Sequence, residues 1–422
     1  MELMSASARA SRLATVLVIA AVAWHLLTVI APPRQKPPRD SEGRDYASYH
    51  YAARAAWRGE NPYDKATLDG LAREERTRST VHPYLYPPPF LLLVAGAPWV
   101  GLQTGFVLWG ILNELALLVA ALALVHAWQP LSTRVVPLLA VFVALSWPVA
   151  YGAELGQANL LVLGLLAVAF AAEPTRPRLA GACLGVACML KMSPALVVLL
   201  WVLERRYEAV VATVVAALAL ALLSLGLVAW PAQWDFYTRV LPGLGAGDYN
   251  GLVIKIGMFG NHSLPNVAHQ LFPSSVPERL SGAARVVSGL VTVGGLAALG
   301  WRFREPTPDP WRRSARFAAV LVAMLLVPVY TYAHHLVFAL PAMVLACLAL
   351  LRGRLVVAWA APVGVACAVV AYPLPHLKSL ATWLGARSPA HLVIQELPFL
   401  ALCVLLASTI ALESRVRPTD QA

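Results

Sequence analysis

Apolar residues run in long blocks along almost the whole chain, separated by short basic turns and by two longer polar stretches. Residues 106–125, 209–228 and 336–351 approach or reach the roughly 17–25 residues that cross a hydrocarbon core as a helix. The pattern predicts an all-α polytopic membrane protein with about 10–12 transmembrane helices and a long first extracytoplasmic loop. Residues 13–31 follow Arg9 and Arg12 and read as an uncleaved first span. The run is long for a signal-peptide core, and Pro32 and Pro33 displace the small-residue cleavage site. Residues 179–203 lie between two basic turns and are interrupted by Met192-Ser193-Pro194, too short for two full spans at about 1.5 Å per residue. A pair of short or broken helices meeting near Lys191 is expected, and broken backbone at depth implies a cavity or a protein lining.

Basic residues assign the sides. Arg134, Arg176 and Arg178, Arg205 and Arg206, the arginines of 302–316, Arg352 and Arg354, and Arg415 and Arg417 alternate onto the side of Arg9 and Arg12, which the positive-inside rule makes cytoplasmic. Residues 90–128 break the alternation if they hold two full spans around 101–104; a partial or re-entrant segment restores it. The expected division is a first transmembrane helix at 1–31, an extracytoplasmic loop at 32–87, transmembrane helices at 88–230, a second extracytoplasmic loop at 231–285, transmembrane helices at 286–412 and a cytoplasmic tail at 413–422.

Composition agrees. With 59% apolar and 13% charged residues and a mean hydropathy of +0.65, a soluble globular domain is excluded. The net charge of +11 would suggest nucleic acid if it lay on a folded soluble face; it sits mostly between apolar spans, so no nucleic-acid partner is expected. All five cysteines fall in apolar stretches, which indicates neither a disulfide framework nor a thiolate metal site.

Unusual polar residues gather on the outward segments. In the first, Tyr46, Tyr49, Ala53, Ala56 and Trp57 recur at helical spacing, so 45–57 reads as an amphipathic helix lying on the membrane with Asp45 at its N-terminal end. Asp45 can cap the free amides of the first turn or act as a general base. Tyr84-Leu85-Tyr86-Pro87-Pro88-Pro89-Phe90 leads back into the bilayer as a rigid entry, with its aromatics in an interfacial belt or forming a platform for a lipid chain or sugar. Gly156-Gln157-Ala158-Asn159 opens a later span after Glu154. Lys191, an ammonium inside an apolar run beside Pro194, is a functional residue or a snorkelling anchor, and suits a phosphate as a point charge. Glu114, beside Asn113 in an apolar run, suits an inter-helix hydrogen bond at least as well as catalysis. His334 and His335 point about 100° apart on a helix and have no third ligand at metal spacing, so one imidazole is expected to face a cavity as a donor while the other packs.

Taken in order, Asp45 to Tyr63, Tyr86-Pro87-Pro88-Pro89-Phe90, Gly156-Gln157-Ala158-Asn159, Lys191-Met192-Ser193-Pro194, Gly260-Asn261-His262-Ser263 and His334-His335 resemble glycosyltransferase family 87, from about the first span to the last third of the chain. The resemblance implies a type C membrane glycosyltransferase. Such an enzyme transfers a hexose, mannose above all, from a polyprenyl-phosphate sugar to a hydroxyl of a lipid or glycan acceptor at the outer face. It also implies Asp45 as general base, with Asp40 as fallback. Lys191, His334 and His335 become candidates for the donor phosphate, and Asn261, His262 and Gln157 for sugar hydroxyls. Two departures, His262 where a glutamine is frequent and the Tyr332-Ala333 that precede the histidine pair, bear on the sugar. No Asp-x-Asp motif or glycine-rich phosphate loop is present, so neither metal nor nucleotide cofactor is called for. Membrane lipids are the surroundings, and usage rich in Ala, Leu, Val, Arg and Pro suggests a bacterial inner membrane. A lipid or sugar transporter or flippase, or a pentosyl transferase of the same architecture, stays open as an alternative.

Overall fold

In hydrocarbon every backbone amide must be satisfied within its own segment, and the apolar blocks meet this demand as helices. The computed structural model describes residues 2–30, 43–372, 383 and 389–414. Asp40, Glu42, Arg415, Arg417 and most of the stretch between Tyr372 and His391 lie outside the described residues. Among the described residues the architecture is all-α, as the pattern predicts. Five helices are long and apolar enough to cross a membrane: Leu102–Trp128, Tyr207–Ser224, Gly282–Phe303, Ala333–Leu351 and Leu397–Ser414. Val135–Leu145 and Trp147–Leu155, bent by 54° at Ser146, are a broken span or a re-entrant pair, and make a sixth if they cross together. Five shorter apolar segments stand beside them, at Ala14–Val29, Phe90–Trp99, Asn159–Ala172, Pro177–Leu190 and Val357–Ala371. The expected 10–12 is reached only if these shorter segments cross as well, and a helix of about 14 residues measures only about 21 Å.

We number the helices along the chain. After α1 (Glu2–His25) come α2 (Arg44–Trp57), α3 (Lys65–Glu74) and a four-residue α4 (Phe90–Leu93), followed by the long α5 (Leu102–Trp128). Residues 90–128 therefore hold one full span preceded by a short partial segment, the arrangement that keeps Arg134 with the other arginines. Then follow α6 (Val135–Leu145), α7 (Trp147–Leu155), α8 (Asn159–Ala172), α9 (Pro177–Leu190), α10 (Ala195–Leu203) and α11 (Tyr207–Ser224). The expected break occurs at residues 191–194, where α9 stops at Leu190 and Lys191 takes an extended conformation. Gly181 and Gly185, four apart, let α9 lie directly on α11: a Cβ at Gly181 would meet Ala209 O at 2.2 Å and one at Gly185 would meet Thr213 O at 2.6 Å.

The second long polar stretch forms α12 (Trp230–Asp235), α13 (Leu241–Ala246) and α14 (Leu264–Leu271). It docks on the first, through Asn61 Nδ2 donating to Asp235 at 2.9 Å and Asn250 Nδ2 donating to Tyr63 O at 2.7 Å. The chain ends in α15 (Gly282–Phe303), α16 (Pro310–Leu326), a 3₁₀ segment at Ala333–Ala339, α17 (Leu340–Leu351), α18 (Ala360–Ala371), α19 (Pro389–Gln395) and α20 (Leu397–Ser414).

The basic turns share one end of the bundle. Arg178 pairs with Glu208 at 2.8 Å, Arg206 with Glu173 at 3.2 Å, and Arg313 with the same Glu173 at 3.5 Å. Arg352 donates to Leu131 O at 3.1 Å. Arg316, 1% exposed, bridges Glu204 at 2.7 Å and Glu413 at 2.9 Å and donates to the carbonyls of Phe303 and Glu305, tying α16 to the ends of α10, α15 and α20. Arg316→Met leaves Glu204 buried with only a distant arginine and is expected to cost about 3 kcal/mol, seen as a lower unfolding midpoint in detergent. Glu114 Oε2 accepts from His25 Nε2 at 2.8 Å, which makes it an α5–α1 tie rather than a site residue.

The helix at 45–57 differs from expectation. It is buried on nearly every face, including Ala47, Tyr51, Ala52 and Ala55, which lie off the predicted apolar stripe. Helix α3, the Tyr-Pro-Pro-Pro segment, α5 and α7 enclose it, so it is a packed element and not a surface helix. The aromatics of the proline segment pack in the same interior: Tyr84 and Phe90 are fully buried, which sets aside an interfacial belt for them.

Candidate active site

The site is built where α2 begins. Gly43, with φ +61°, occupies the N-cap and donates its N–H to Glu154 O at 2.8 Å. Asp45 is the second helical residue, and no side chain caps this helix, which removes the capping role. Its carboxylate turns inward instead. Gln157 Nε2 donates to Asp45 Oδ2 at 2.5 Å, Arg44 Nε lies 3.7 Å and His82 Nδ1 3.8 Å from Oδ1. The turn carrying Gln157 fits because residue 156 is glycine: its φ is +75°, and a Cβ there would meet Tyr46 Cβ at 2.6 Å.

Burial pushes the Asp45 carboxyl above its ordinary value, while Arg44, the Gln157 hydrogen bond and the Lys191 ammonium oppose this. Burial, with the nearby charges of Arg44, Lys65 and Arg78, lowers His82 to about 4, so it is neutral at pH 7. Asp45, a neutral imidazole, the Arg44 guanidinium and the Lys191 side chain thus lie within electrostatic reach of one another.

Across from Asp45, the break after α9 presents Lys191. Its Nζ donates to Asn159 Oδ1 at 2.7 Å, and Asn159 Nδ2 donates to His334 O at 2.9 Å, so one asparagine joins α8, the break and the 3₁₀ segment. The rings of His334 and His335 stand 4.3 Å apart at 71°. His335 Nδ1 accepts the backbone N–H of Tyr332 at 3.1 Å, which leaves Nε2 as the protonated nitrogen of the neutral ring. Buried His334 Nδ1, His262 Nδ1 and the Tyr332 hydroxyl have no protein partner. These atoms can receive a polar ligand at no cost in protein hydrogen bonds.

Of the seven residues singled out in the sequence, Asp45, Gln157 and Lys191 come together with His334 and His335, and His262 adjoins them: its charge would act on His335. Asn261 has a different task. Fully buried, its amide N–H groups bond Ile256 O and Val329 O, both at 3.0 Å, and its oxygen accepts Thr331 N–H at 2.9 Å, so it braces the loop that carries Tyr332. Arg44, His82 and Tyr151, whose ring lies 6.1 Å from His334, were not legible as site residues, because only the packing of α2 against α7 and the path of residues 78–84 bring them there. A separate groove of about 590 Å³ runs between α9 and α11, lined by Arg178, Tyr207 and Val211 among others; it lies at the arginine end and is not part of this recess. Among the described residues no three His, Cys, Asp or Glu side chains gather to hold a metal ion.

Residues 84–328 match the model of glycosyltransferase family 87. The chain belongs to this family. The match takes in Gln157, Lys191, Asn261 and His262, with Asp45 before it and the histidine pair just after it. A relative is the polyprenol-phosphate-mannose-dependent alpha-(1-2)-phosphatidylinositol mannoside mannosyltransferase of Mycobacterium tuberculosis (strain ATCC 25618 / H37Rv), 28% identical over 278 residues. The alignment covers 62% of this family 87 chain and 61% of the relative's length.

Proposed function

We propose that the protein is a membrane glycosyltransferase that moves a hexose, mannose in the first instance, from a polyprenyl-phosphate sugar to a hydroxyl of a lipid or glycan acceptor at the extracytoplasmic face. The observation that carries this reading is a half-buried carboxylate, Asp45, held by Gln157 and within electrostatic reach of Lys191, which in turn acts on a histidine pair, in a family 87 chain. The acceptor oxygen attacks C1 of the sugar as the bond from C1 to the phosphate oxygen breaks. The acceptor proton passes to Asp45, and the leaving lipid phosphate keeps the electron pair.

Each group then has a task. Lys191 and the free N–H of His335 stabilise the charge that grows on the phosphate, with His334 lining the same wall. His262 and Tyr332 offer unpartnered polar atoms to sugar hydroxyls or phosphate oxygens. The apolar donor tail stays in the bilayer beside the bundle. In a bacterium the enzyme would occupy the inner membrane. The relative's dependence on polyprenol-phosphate-mannose supports mannose as the first sugar to test.

The test is transfer of labelled sugar from a panel of polyprenyl-phosphate sugars in membranes containing wild type or Asp45→Asn. Label in a lipid or glycan product with wild type alone supports the reading and names the sugar. Transfer by neither protein from any donor moves the weight to a transporter.

A further inference from the structure

The groups behind Asp45 form a chain of hydrogen bonds that all run one way. The Tyr49 hydroxyl donates to the Tyr86 hydroxyl at 2.8 Å, Tyr86 donates to Gln157 Oε1 at 3.0 Å, and Gln157 Nε2 donates to Asp45 Oδ2 at 2.5 Å. The chain joins α2, the proline segment and the turn between α7 and α8, which are far apart in sequence. Its members cannot swing: Tyr49 is 1% exposed, and its ring packs on Tyr86 at 5.0 Å and Phe90 at 4.8 Å. The Tyr63 hydroxyl anchors the Tyr86 backbone carbonyl at 2.9 Å.

The direction matters because a glutamine amide has two different ends. A carboxylate can only accept, so the amide must present its N–H₂ to Asp45; the tyrosine hydroxyl, by donating to the oxygen, holds it that way round. Flipped, the amide oxygen would face a carboxylate oxygen at 2.5 Å, a repulsive contact. Resting on the proposed base role of Asp45, we infer that Gln157, oriented by Tyr86 and Tyr49, is a positioning residue that favours the ionised form of Asp45 and fixes Oδ2, so that Oδ1, which Arg44 and His82 only approach, meets the acceptor hydroxyl. Gln157 is thus assigned to the base and not to the sugar. The proline run serves the same end, because its rigid backbone fixes where the Tyr86 hydroxyl sits.

The other charged or titratable groups acting on Asp45 are Arg44 on its own helix, His82 on the loop before the proline segment and Lys191 at the break after α9, while Tyr151 on α7 feels the Asp45 charge. Arg44 and His82 approach Oδ1, at 3.7 and 3.8 Å, while Gln157 donates to Oδ2.

The experiment compares pH profiles of transfer from polyprenyl-phosphate mannose, or from whichever panel donor the wild type uses, in membranes with full-length protein. Tyr86→Phe deletes one oxygen from a packed ring, and Gln157→Ala deletes the donor. Loss of a hydrogen bond to the charged form raises the pKa of an acid, so the acid limb of kcat/KM should move to higher pH, by about one unit in Gln157→Ala and less in Tyr86→Phe. On the acid side of the wild-type limb, activity should fall about tenfold in Gln157→Ala and recover as the pH rises above the shifted limb. An acid limb at the wild-type position in Tyr86→Phe and Gln157→Ala, or a raised donor KM with an unmoved limb, overturns the inference and returns Gln157 to the sugar. Gln157→Ala that fails to stay monodisperse leaves Tyr86→Phe to decide alone. Asp45→Asn in parallel separates the two levels: if it transfers normally the base role itself fails, and if it is inactive while the limbs stay fixed only the Gln157 assignment fails.

Discussion

Asp45→Asn should lower kcat by about 10²–10⁴-fold, the range that general base catalysis contributes. The substitution is close to isosteric, and Asn Oδ1 can still accept from Gln157 Nε2, so the bond that the structure shows at 2.5 Å is retained. What disappears is the ability to take a proton. Binding of the donor should change little, because Lys191 and the histidines are untouched. Asp45→Glu should recover part of the activity, since the longer arm keeps the basicity but misplaces it. The measurement is single-turnover transfer of labelled sugar with donor in excess, with detergent monodispersity as the folding control. A rate within about threefold of wild type would remove Asp45 as the base.

The second large effect is expected from Lys191→Met, which should cost about 10²–10³-fold in kcat, the loss typical of removing one donor from a charge-stabilising site. Methionine fills a similar volume beside Phe338, whose ring centroid lies 5.9 Å from Nζ, so the wall should stay packed. The substitution leaves Asn159 Oδ1 without its donor while Asn159 Nδ2 still holds His334 O, so the 3₁₀ segment keeps its anchor. Lys191→Arg should restore only part of the rate: the guanidinium fork is wider than an ammonium and must fit a site shaped around a single 2.7 Å contact. Because the growing charge lies on the leaving phosphate, the loss should exceed any change in donor KM. A rise in KM with kcat intact would make Lys191 a ground-state anchor only.

The broad architecture was legible because it follows from averages along the chain. Block lengths and the lack of charge within them require helices in a bilayer, whatever packs against them. The break at 191–194 was legible for the same local reason, proline beside a charge in a segment too short for two spans. The lone long helix in 90–128 followed from keeping Arg134 with the other basic turns. Lys191 stood out as a charge inside an apolar run, Gln157 and the histidine pair as polar residues at the ends of such runs, and Asp45 as a base only through the family 87 resemblance.

What escaped was everything that depends on who covers whom. Periodicity over 45–57 reported one apolar face, and nothing local could say that the small residues Ala47, Ala52 and Ala55 would be covered too. Asn261 and Gln157 are alike in type and both lie in loop motifs, yet backbone carbonyls surround one and a carboxylate faces the other. Glu114 met a partner 89 residues away on the first helix, and Arg316 gathered acids from α10 and α20. Sequence alone determined where helices form, where one must break and which residues were out of place in hydrocarbon, because these are balances between a segment and its solvent. Only the tertiary structure decided which of those residues share a recess and which atom of each points into it. Hydrogen bonds act over about 3 Å, and groups more than a hundred residues apart reach that distance only once the helices have packed.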